Sequence, residues 1–490
     1  MSQPKAEKQE IVLVAALLAA VVARTWIAPM FSSLWIDEWS MYLISREGPA
    51  RISEFAGLYV AEQRLISLMA WLGMQVWGGN EFGLRAYSLL SGGFCLVAIY
   101  QLGKRWFDQR TALLSVLLLP CLHAVYQQTA NARAYMLALA FFLGLLWSVE
   151  LWLERRRWYW LLVAALCSFL VVNAHLMQAV GVGLAGLRIL WTARPWTRWP
   201  WPLAALLPGV AEALRQVIQK PLASLNYLPM PTPVDFLQAL FPQPAAGLVL
   251  LVLAAVLGLR LGVLAGNKAP PMLYYVLAAW LLPPILIYSL SLGTKVSVFL
   301  PRYYFTAFPA AAWGLGWLLA QVEPFRWRAV AAVLVAAGSA MIVAGTQARP
   351  HPNHENWRAA FTAIEQRRGS PAEPVLYYSG FLEADFPEWR ESYKPGGMFR
   401  AGMEFYRFDG NIIGLPYSPR PERIAELRPR LDAALAGNKR LWLLSRSQQG
   451  DMLDWVNDYL TARGWQSRRI GSYESVRVDV IEPVSKPSGQ

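Results

Sequence analysis

Charge is scarce in this sequence. Asp, Glu, Lys and Arg supply 16% of its 490 residues, where a soluble globular chain carries about a quarter. Set against 56% hydrophobic residues and a mean hydropathy of +0.31, that shortage excludes a disordered chain, a coiled coil and an ordinary water-soluble enzyme. Cysteine is nearly missing. Cys95, Cys121 and Cys167 all fall in apolar stretches, which excludes a disulfide framework in the polar C-terminal third and leaves the three as small packing residues. Histidine is equally rare, and of His123, His175, His351 and His354 only the last two are close neighbours. A histidine-rich metal site is therefore not expected. The chain also lacks an internal repeat, a low-complexity tract, a phosphate-cradling Gly loop, a zincin pattern and a nucleophile elbow.

What is present is a long series of apolar runs. A membrane-crossing helix needs about 20 mainly apolar residues. Runs of that kind stand near 11–30, 84–102, 111–130, 134–153, 158–175, 176–193, 201–218, 243–265, 271–292, 303–321 and 328–346. The reading is a polytopic α-helical membrane protein of about eleven spans, with 201–218 the least regular because Glu212 and Arg215 interrupt it. The first run is too long, and its start too nearly neutral, for a cleavable signal peptide. The net charge of +13 is unevenly spread. Up to residue 346 there are 25 basic against 14 acidic residues, and beyond it 20 against 18. The excess thus belongs to the apolar part, as topology signals do, and a nucleic-acid partner is not expected.

Basic clusters fall between alternate pairs of runs: Lys104-Arg105 with Arg110, Arg155-Arg156-Arg157, Arg194 with Arg198, Arg260 with Lys268, and Arg326 with Arg328. All lie on one side, which the positive-inside rule makes cytoplasmic. The expected protein is multi-pass in the plasma (inner) membrane, N-terminus inside. Loop 31–83, loop 219–242 and the region from 347 onward would then lie outside. Two domains follow from this: 1–346 in the membrane, carrying the external loop 31–83, and an extracytoplasmic α/β domain over 347–490. In the loop, Glu38–Arg46 and Ala61–Trp77 have helical apolar spacing. In the C-terminal part, Trp357–Arg367 and Met452–Arg463 read as helices and Val375–Tyr378 and Leu441–Leu444 as strands.

Chemistry is concentrated in few residues. Asp37 and Glu38 follow the first run within Trp35-Ile36-Asp37-Glu38-Trp39. Adjacent carboxylates point in different directions, so a division of labour is expected, one acting as general base and one anchoring structure or acceptor. Among cations on the outer side, Arg133 stands after Gln127, Gln128 and Asn131, and Arg302 lies between Pro301 and Tyr303-Tyr304 with Lys295 seven residues earlier. Such cations beside polar and aromatic companions suit an anionic lipid headgroup. His175 ends the fifth run, where a substrate contact and a hydrogen-bonded interhelical histidine are equally open.

These motifs together resemble the GT-C class of membrane glycosyltransferases, and more narrowly the protein O-mannosyltransferase and aminoarabinose lipid A transferase branch. Asp-Glu directly after the first span is the leading feature. Asn80-Glu81-Phe82-Gly83-Leu84-Arg85 is similar to the family's start of its second span, and Gln127-Gln128 through Asn131-Ala132-Arg133-Ala134-Tyr135 to its Gln-x-x-Arg-x-Tyr stretch. Asn173-Ala174-His175 is similar to a Thr-His-Tyr stretch, Pro301-Arg302-Tyr303-Tyr304 through Phe308-Pro309 to an Arg-Tyr-x-x-x-x-x-Pro segment, and Glu355-Asn356-Trp357-Arg358 to an Asp-Trp-Arg start of the external domain. The likeness covers about 1–190 and 295–370. There are departures: Glu62-Gln63-Arg64-Leu65-Ile66 stands where the family often has His or Lys followed by Pro, and Ala174 and Leu176 replace the Thr and Tyr around His175.

The resemblance implies sugar transfer from a polyprenyl-phosphate-linked donor to a hydroxyl of a lipid, glycan or protein acceptor at the outer face, with inversion. It implies Asp37 as general base with Glu38 beside it. Arg64, Arg133, Lys295 and Arg302 would hold the donor phosphate, and His175 and Tyr303 would touch substrate. Some members use a divalent cation, Mg or Mn; for this chain that stays open, and no other cofactor is implied. The residues alone also leave open a transporter or lipid flippase, or a non-catalytic assembly subunit.

Overall fold

The computed structural model describes residues 3–56, 64–192, 200–219, 229–259, 263–264, 269–345, 354–387, 397–446 and 450–484. Arg194, Arg198, Arg260, Lys268 and His351 from the sequence reading lie outside the described residues. The chain divides into two compact units. One joins Met1–Phe31 to Tyr59–Pro352, and the other joins Ser32–Leu58 to Asn353–Gln490. This differs from a single boundary near 346, because the first half of the 31–83 loop folds with the chain's end.

The membrane unit is helical. Among the described residues five of its helices are long and apolar enough to cross a membrane: Glu7–Phe31, Glu81–Trp106, Tyr135–Arg155, Pro271–Thr294 and Phe325–Ala344. Gln109–Cys121, Tyr159–Ala174, Leu176–Thr192, Ala245–Gly258 and Ala307–Ala320 are shorter apolar helices. The expected run at 201–218 is instead broken into Pro200–Ala204 and Leu207–Gln219. Its second piece is amphipathic, with Leu207, Leu214 and Ile218 exposed while Glu212 is buried. A two-stranded ribbon pairs Val263–Leu264 with Val322–Glu323.

Local chemistry sets the helix starts. Asn80 accepts from the Gly83 N–H at 2.9 Å, and Asp108 from the Thr111 N–H at 2.7 Å, each satisfying a donor the first turn leaves open. Buried charges in this unit are paired, as the cost of dehydrating them demands. Arg328 holds both carboxylate oxygens of Glu10, at 2.7 and 3.0 Å. Glu150 pairs with Arg188 at 2.6 Å, and that guanidinium lies over the rings of Trp106 and Tyr275. Glu212 binds Arg215 and Gln216, each at 2.8 Å. These acids are structural.

The second unit is α/β. Its helices are α1 (Ile36–Arg46), α2 (Pro49–Ala56), α3 (Trp357–Glu365), α4 (Met398–Phe405), α5 (Pro421–Gly437) and α6 (Asp451–Thr461). Its strands are β1 (Val375–Tyr378), β2 (Ile412–Gly414), β3 (Leu441–Ser445), β4 (Trp465–Tyr473) and β5 (Val476–Pro483). They form one sheet in the order β2-β1-β3-β5-β4. β1 is parallel to β2 and β3, whereas β5 is antiparallel to both its neighbours. β1 and β3 are buried throughout, which is why they read as continuous apolar runs without alternation. On one face Leu376, Leu443 and Ile481 pack with Leu427 and Leu431 of α5 and Val456 of α6. On the other, Tyr377 meets Trp39 of α1, Trp357 of α3 and Phe399 of α4.

Candidate active site

In the α/β unit the candidate site residue is Asp37, in the first turn of α1. Trp35 is extended (φ −92°, ψ 166°) and the helix starts at the next residue. Glu38 is fully buried, and its carboxylate accepts the Trp35 N–H at 3.2 Å. That bond assigns Glu38 to capping the helix start. Asp37 is half-buried, and its carbonyl accepts from the Ser40 hydroxyl at 2.7 Å. The approach to the helix is also held. The Leu34 N–H donates to the Tyr406 hydroxyl at 2.7 Å, and the Arg358 N–H to the Ser33 hydroxyl at 3.2 Å.

Packing then fixes the helix body. Trp39 is fully buried, with ring centroids 4.9 Å from Trp357 and 6.4 Å from Tyr377. Gly402 of α4 lies directly against its indole. One turn on, Tyr42 meets Phe405 edge-on at 4.9 Å, and Arg46 forms an ion pair with Glu404.

Glu355 was not singled out as a site residue from the sequence, although it opens the Glu355-Asn356-Trp357-Arg358 motif. It is buried. Its Oε2 accepts the Ile36 N–H at 3.0 Å and the Trp357 indole N–H at 2.7 Å, and its Oε1 accepts from Arg446 Nε at 2.6 Å. Burial pushes its carboxyl above the ordinary range, while the Arg446 charge and the three donors act against that rise. Asn356 accepts the Ala359 N–H at 3.1 Å and so caps α3.

In the membrane unit, several of the expected residues come together. The turn carrying Arg133 is fixed from the Glu81–Trp106 helix. Ser88 donates to the Asn131 carbonyl at 2.7 Å, and Tyr87 to the Arg133 carbonyl at 3.2 Å. His175 stands where the Tyr159–Ala174 helix ends, its Nδ1 accepting the Met177 N–H at 3.3 Å. This bond places the neutral ring's proton on Nε2. Its ring lies between Tyr135 at 4.8 Å and Tyr303 at 5.4 Å. Arg133 stands two residues before Tyr135, and Arg302 directly precedes Tyr303. Arg302 extends over the Tyr303 ring at 5.6 Å, and the buried Gln178 amide donates to the Arg302 carbonyl at 2.9 Å.

Tyr135 and Gln178 were missed as site residues. Tyr135 closes the Gln-x-x-Arg-x-Tyr stretch and so carried a signal; Gln178, three residues past His175, carried none. Lys295 is exposed in a left-handed turn (φ 57°) after the Pro271–Thr294 helix, and Arg64 is exposed at the start of Arg64–Trp77. Among the described residues neither touches the Arg133–His175–Arg302 cluster. No three His, Cys, Asp or Glu side chains gather into a metal-holding group among the described residues. Two permanently charged guanidiniums beside an aromatic slot can bind a phosphate through paired, charge-assisted bonds.

Residues 64–214 match the family model of dolichyl-phosphate-mannose-protein mannosyltransferase. No curated protein matches the sequence. Among solved structures, ArnT from Cupriavidus metallidurans bound to undecaprenyl phosphate is 15% identical, covers 97% of this chain and 99% of its own, and superimposes with a TM-score of 0.57. The same protein in the apo state is 14% identical over the same shares, with a TM-score of 0.54. The Archaeoglobus fulgidus oligosaccharyltransferase complex with Zn and sulfate gives 12% identity, shares of 88% and 67%, and a TM-score of 0.43. The chain thus has the helical, GT-C-like membrane fold of ArnT, and over residues 64–214 its sequence is similar to the dolichyl-phosphate-mannose-protein mannosyltransferases.

Proposed function

We propose that this protein is an inverting membrane glycosyltransferase using a polyprenyl-phosphate-linked sugar and an acceptor hydroxyl at the outer face of the plasma membrane. The observation that carries the reading is the ring of His175 set between Tyr135 and Tyr303, with Arg302 over the Tyr303 ring and Arg133 two residues before Tyr135. A lipid phosphate is the anion such a cluster would meet in an apolar helical unit, and the structure sharing this fold was solved with undecaprenyl phosphate bound. In the proposed topology the N-terminus is cytoplasmic, the apolar runs make about eleven spans, and the α/β unit is extracytoplasmic.

The mechanism follows from these charges. Asp37 takes the proton of the acceptor hydroxyl as its oxygen forms a bond to the anomeric carbon. The bond from that carbon to the phosphate oxygen breaks on the opposite face, which inverts the configuration. Arg133 and Arg302 stabilise the negative charge growing on the departing polyprenyl phosphate. Arg64 and Lys295 would serve the headgroup or its approach. His175 and Tyr303, with Tyr135, would wall the sugar or phosphate.

The test is transfer by the purified full chain in nanodiscs, supplied with a panel of undecaprenyl-phosphate pentoses and hexoses and a lipid extract as acceptor. Wild type is expected to release undecaprenyl phosphate and form a glycosylated product, and Asp37→Asn to stay folded without forming it. Normal turnover by Asp37→Asn would sink the role given to Asp37. Lipid movement across the bilayer without covalent product would instead identify a transporter.

A further inference from the structure

We infer that Glu355 is the positioning residue for Asp37, holding the first turn of the base's helix by accepting the Ile36 N–H. This rests on the transferase reading above and concerns the regulation of geometry at the same site.

α1 lacks a side-chain cap from the residue that precedes it. The first N–H groups of a helix have no acceptor inside it, and a local Ser, Thr, Asp or Asn side chain ordinarily takes one. In this unit α3 follows that rule through Asn356. The residue before α1 is Trp35, whose indole has no acceptor. The vacancy is filled by two carboxylates. Glu38 reaches back to the Trp35 N–H, and Glu355, 319 residues further along, takes the Ile36 N–H. Asp37 is the next residue, so the backbone on its N-terminal side is anchored at two consecutive amides.

The anchor is itself held from the sheet. Arg446 follows the last residue of β3, and its N–H donates to the Tyr378 carbonyl of β1 at 3.0 Å. Its guanidinium lies 4.4 Å over the Phe381 ring and donates to Glu355 at 2.6 Å. Trp357 donates to the same carboxylate while packing at a tilt against Trp39 of α1. A relay therefore runs from the ends of β1 and β3 through Arg446 and Glu355 to Ile36. Burying an ionised group costs more than any local cap would, so capping alone does not account for it. What the remote carboxylate adds is registration of the helix start against a rigid sheet.

Glu355→Gln tests this. The amide has the shape of the carboxylate but one acceptor oxygen for donors on two sides, so its NH₂ must face either Arg446 or the Ile36–Trp357 pair. Two readings are taken on the full chain in nanodiscs. Hydrogen–deuterium exchange at 33–41 is expected to quicken about tenfold, the loss of roughly one hydrogen bond, with α5 and α6 unchanged. Transfer from the undecaprenyl-phosphate sugar that wild type uses best is expected to fall about 100-fold in kcat, with KM for the donor within about twofold, as misplacement of a reacting group by ~1 Å does. Glu355→Asp, which keeps the charge, is expected to recover part of the kcat lost in Glu355→Gln. A Glu355→Gln protein with wild-type kcat overturns the inference, and so does faster exchange spread evenly over α5 and α6, which marks a general fold role. Wild-type protein that transfers from no donor fails the transferase reading, and this inference with it. Wild-type transfer beside an unaffected Glu355→Gln fails this inference alone.

Discussion

The seat of α1 can be tested with one methyl group. At Gly402 the backbone of α4 lies against the indole of Trp39, and a Cβ there would overlap Cε2, Cδ2 and Cζ2 of that ring. Carbon atoms in contact keep about 3.5–4.0 Å apart, so Gly402→Ala requires a shift well beyond a few tenths of an ångström. The ring has nowhere to go, because Trp39 is fully buried between Trp357 and Tyr377. The two helices must therefore part. Overpacking of this kind costs typically ~1–3 kcal/mol, and a clash with a confined ring belongs at the upper end. Alanine's better helix propensity returns up to about 1 kcal/mol, leaving a net loss of roughly 1–2 kcal/mol. For a unit of this size each kcal/mol lowers Tm by about 2–4 °C, so scanning fluorimetry should show a fall of several degrees. Exchange should quicken at 36–46 and 398–405 together. Gly437→Ala is the control: it too lies in a helix of this unit, at the end of α5, and nothing lies within 4 Å of its added Cβ. Unchanged Tm and exchange in Gly402→Ala, with the control behaving likewise, would refute the packing argument.

Replacing Arg133 or Arg302 by Gln should weaken binding of undecaprenyl phosphate about tenfold each, the worth of a charge-assisted bond, measured by native mass spectrometry; equal binding would remove the residue from the phosphate site. Arg328→Met should cost roughly 1.5–3 kcal/mol by removing the bidentate partner of buried Glu10, with Arg110 at 3.4 Å left to offset its charge in part, read as a lower Tm, and Glu10→Leu in the same chain should restore most of it. Burial raises the Glu355 carboxyl in the folded state, so the stability this group contributes is full below the ordinary glutamate value and is lost as pH rises through the raised one. The gap in Tm between wild type and Glu355→Gln should change across that window, and a pH-independent gap would remove the titration from Glu355.

The parts of the fold that were legible in sequence are those governed by a local rule. A bilayer imposes a length, and the runs at 11–30, 84–102, 134–153, 271–292 and 328–346 match helices long enough to cross it. The run at 201–218 was not separable by hydropathy, because its second piece is amphipathic, with Glu212 turned to Asn173 and Gln216 to the Val172 carbonyl. Val375–Tyr378 and Leu441–Ser445 were visible as wholly apolar strands. β4 was not, since Arg468 and Arg469 stand on a strand at the sheet's edge. Of the site, Arg133, His175, Arg302 and Tyr303 were legible as motif residues. Gln178 and Glu355 were not, because each owes its role to a partner more than a hundred residues away. Asp37 and Glu38 could not be told apart in sequence; in the fold Glu38 is buried and accepts the Trp35 N–H, whereas Asp37 is half-buried.

The pairing of 32–58 with the C-terminal residues has a physical logic. Closing a longer loop costs only about 0.6 kcal/mol per doubling, so the separation of Ile36 from Glu355 weighs little against a buried tryptophan and three charge-assisted bonds. An amphipathic helix laid on lipid would be held by apolar area alone, which fixes depth but neither rotation nor register. α1 has its rotation set by Trp39 against Trp357 and Gly402, and its register by the Ile36 N–H on Glu355. In the proposed mechanism a general base must keep its oxygen within hydrogen-bond reach of one hydroxyl, and the sheet-anchored packing of α1 would meet that demand for Asp37 where apolar contact alone would not.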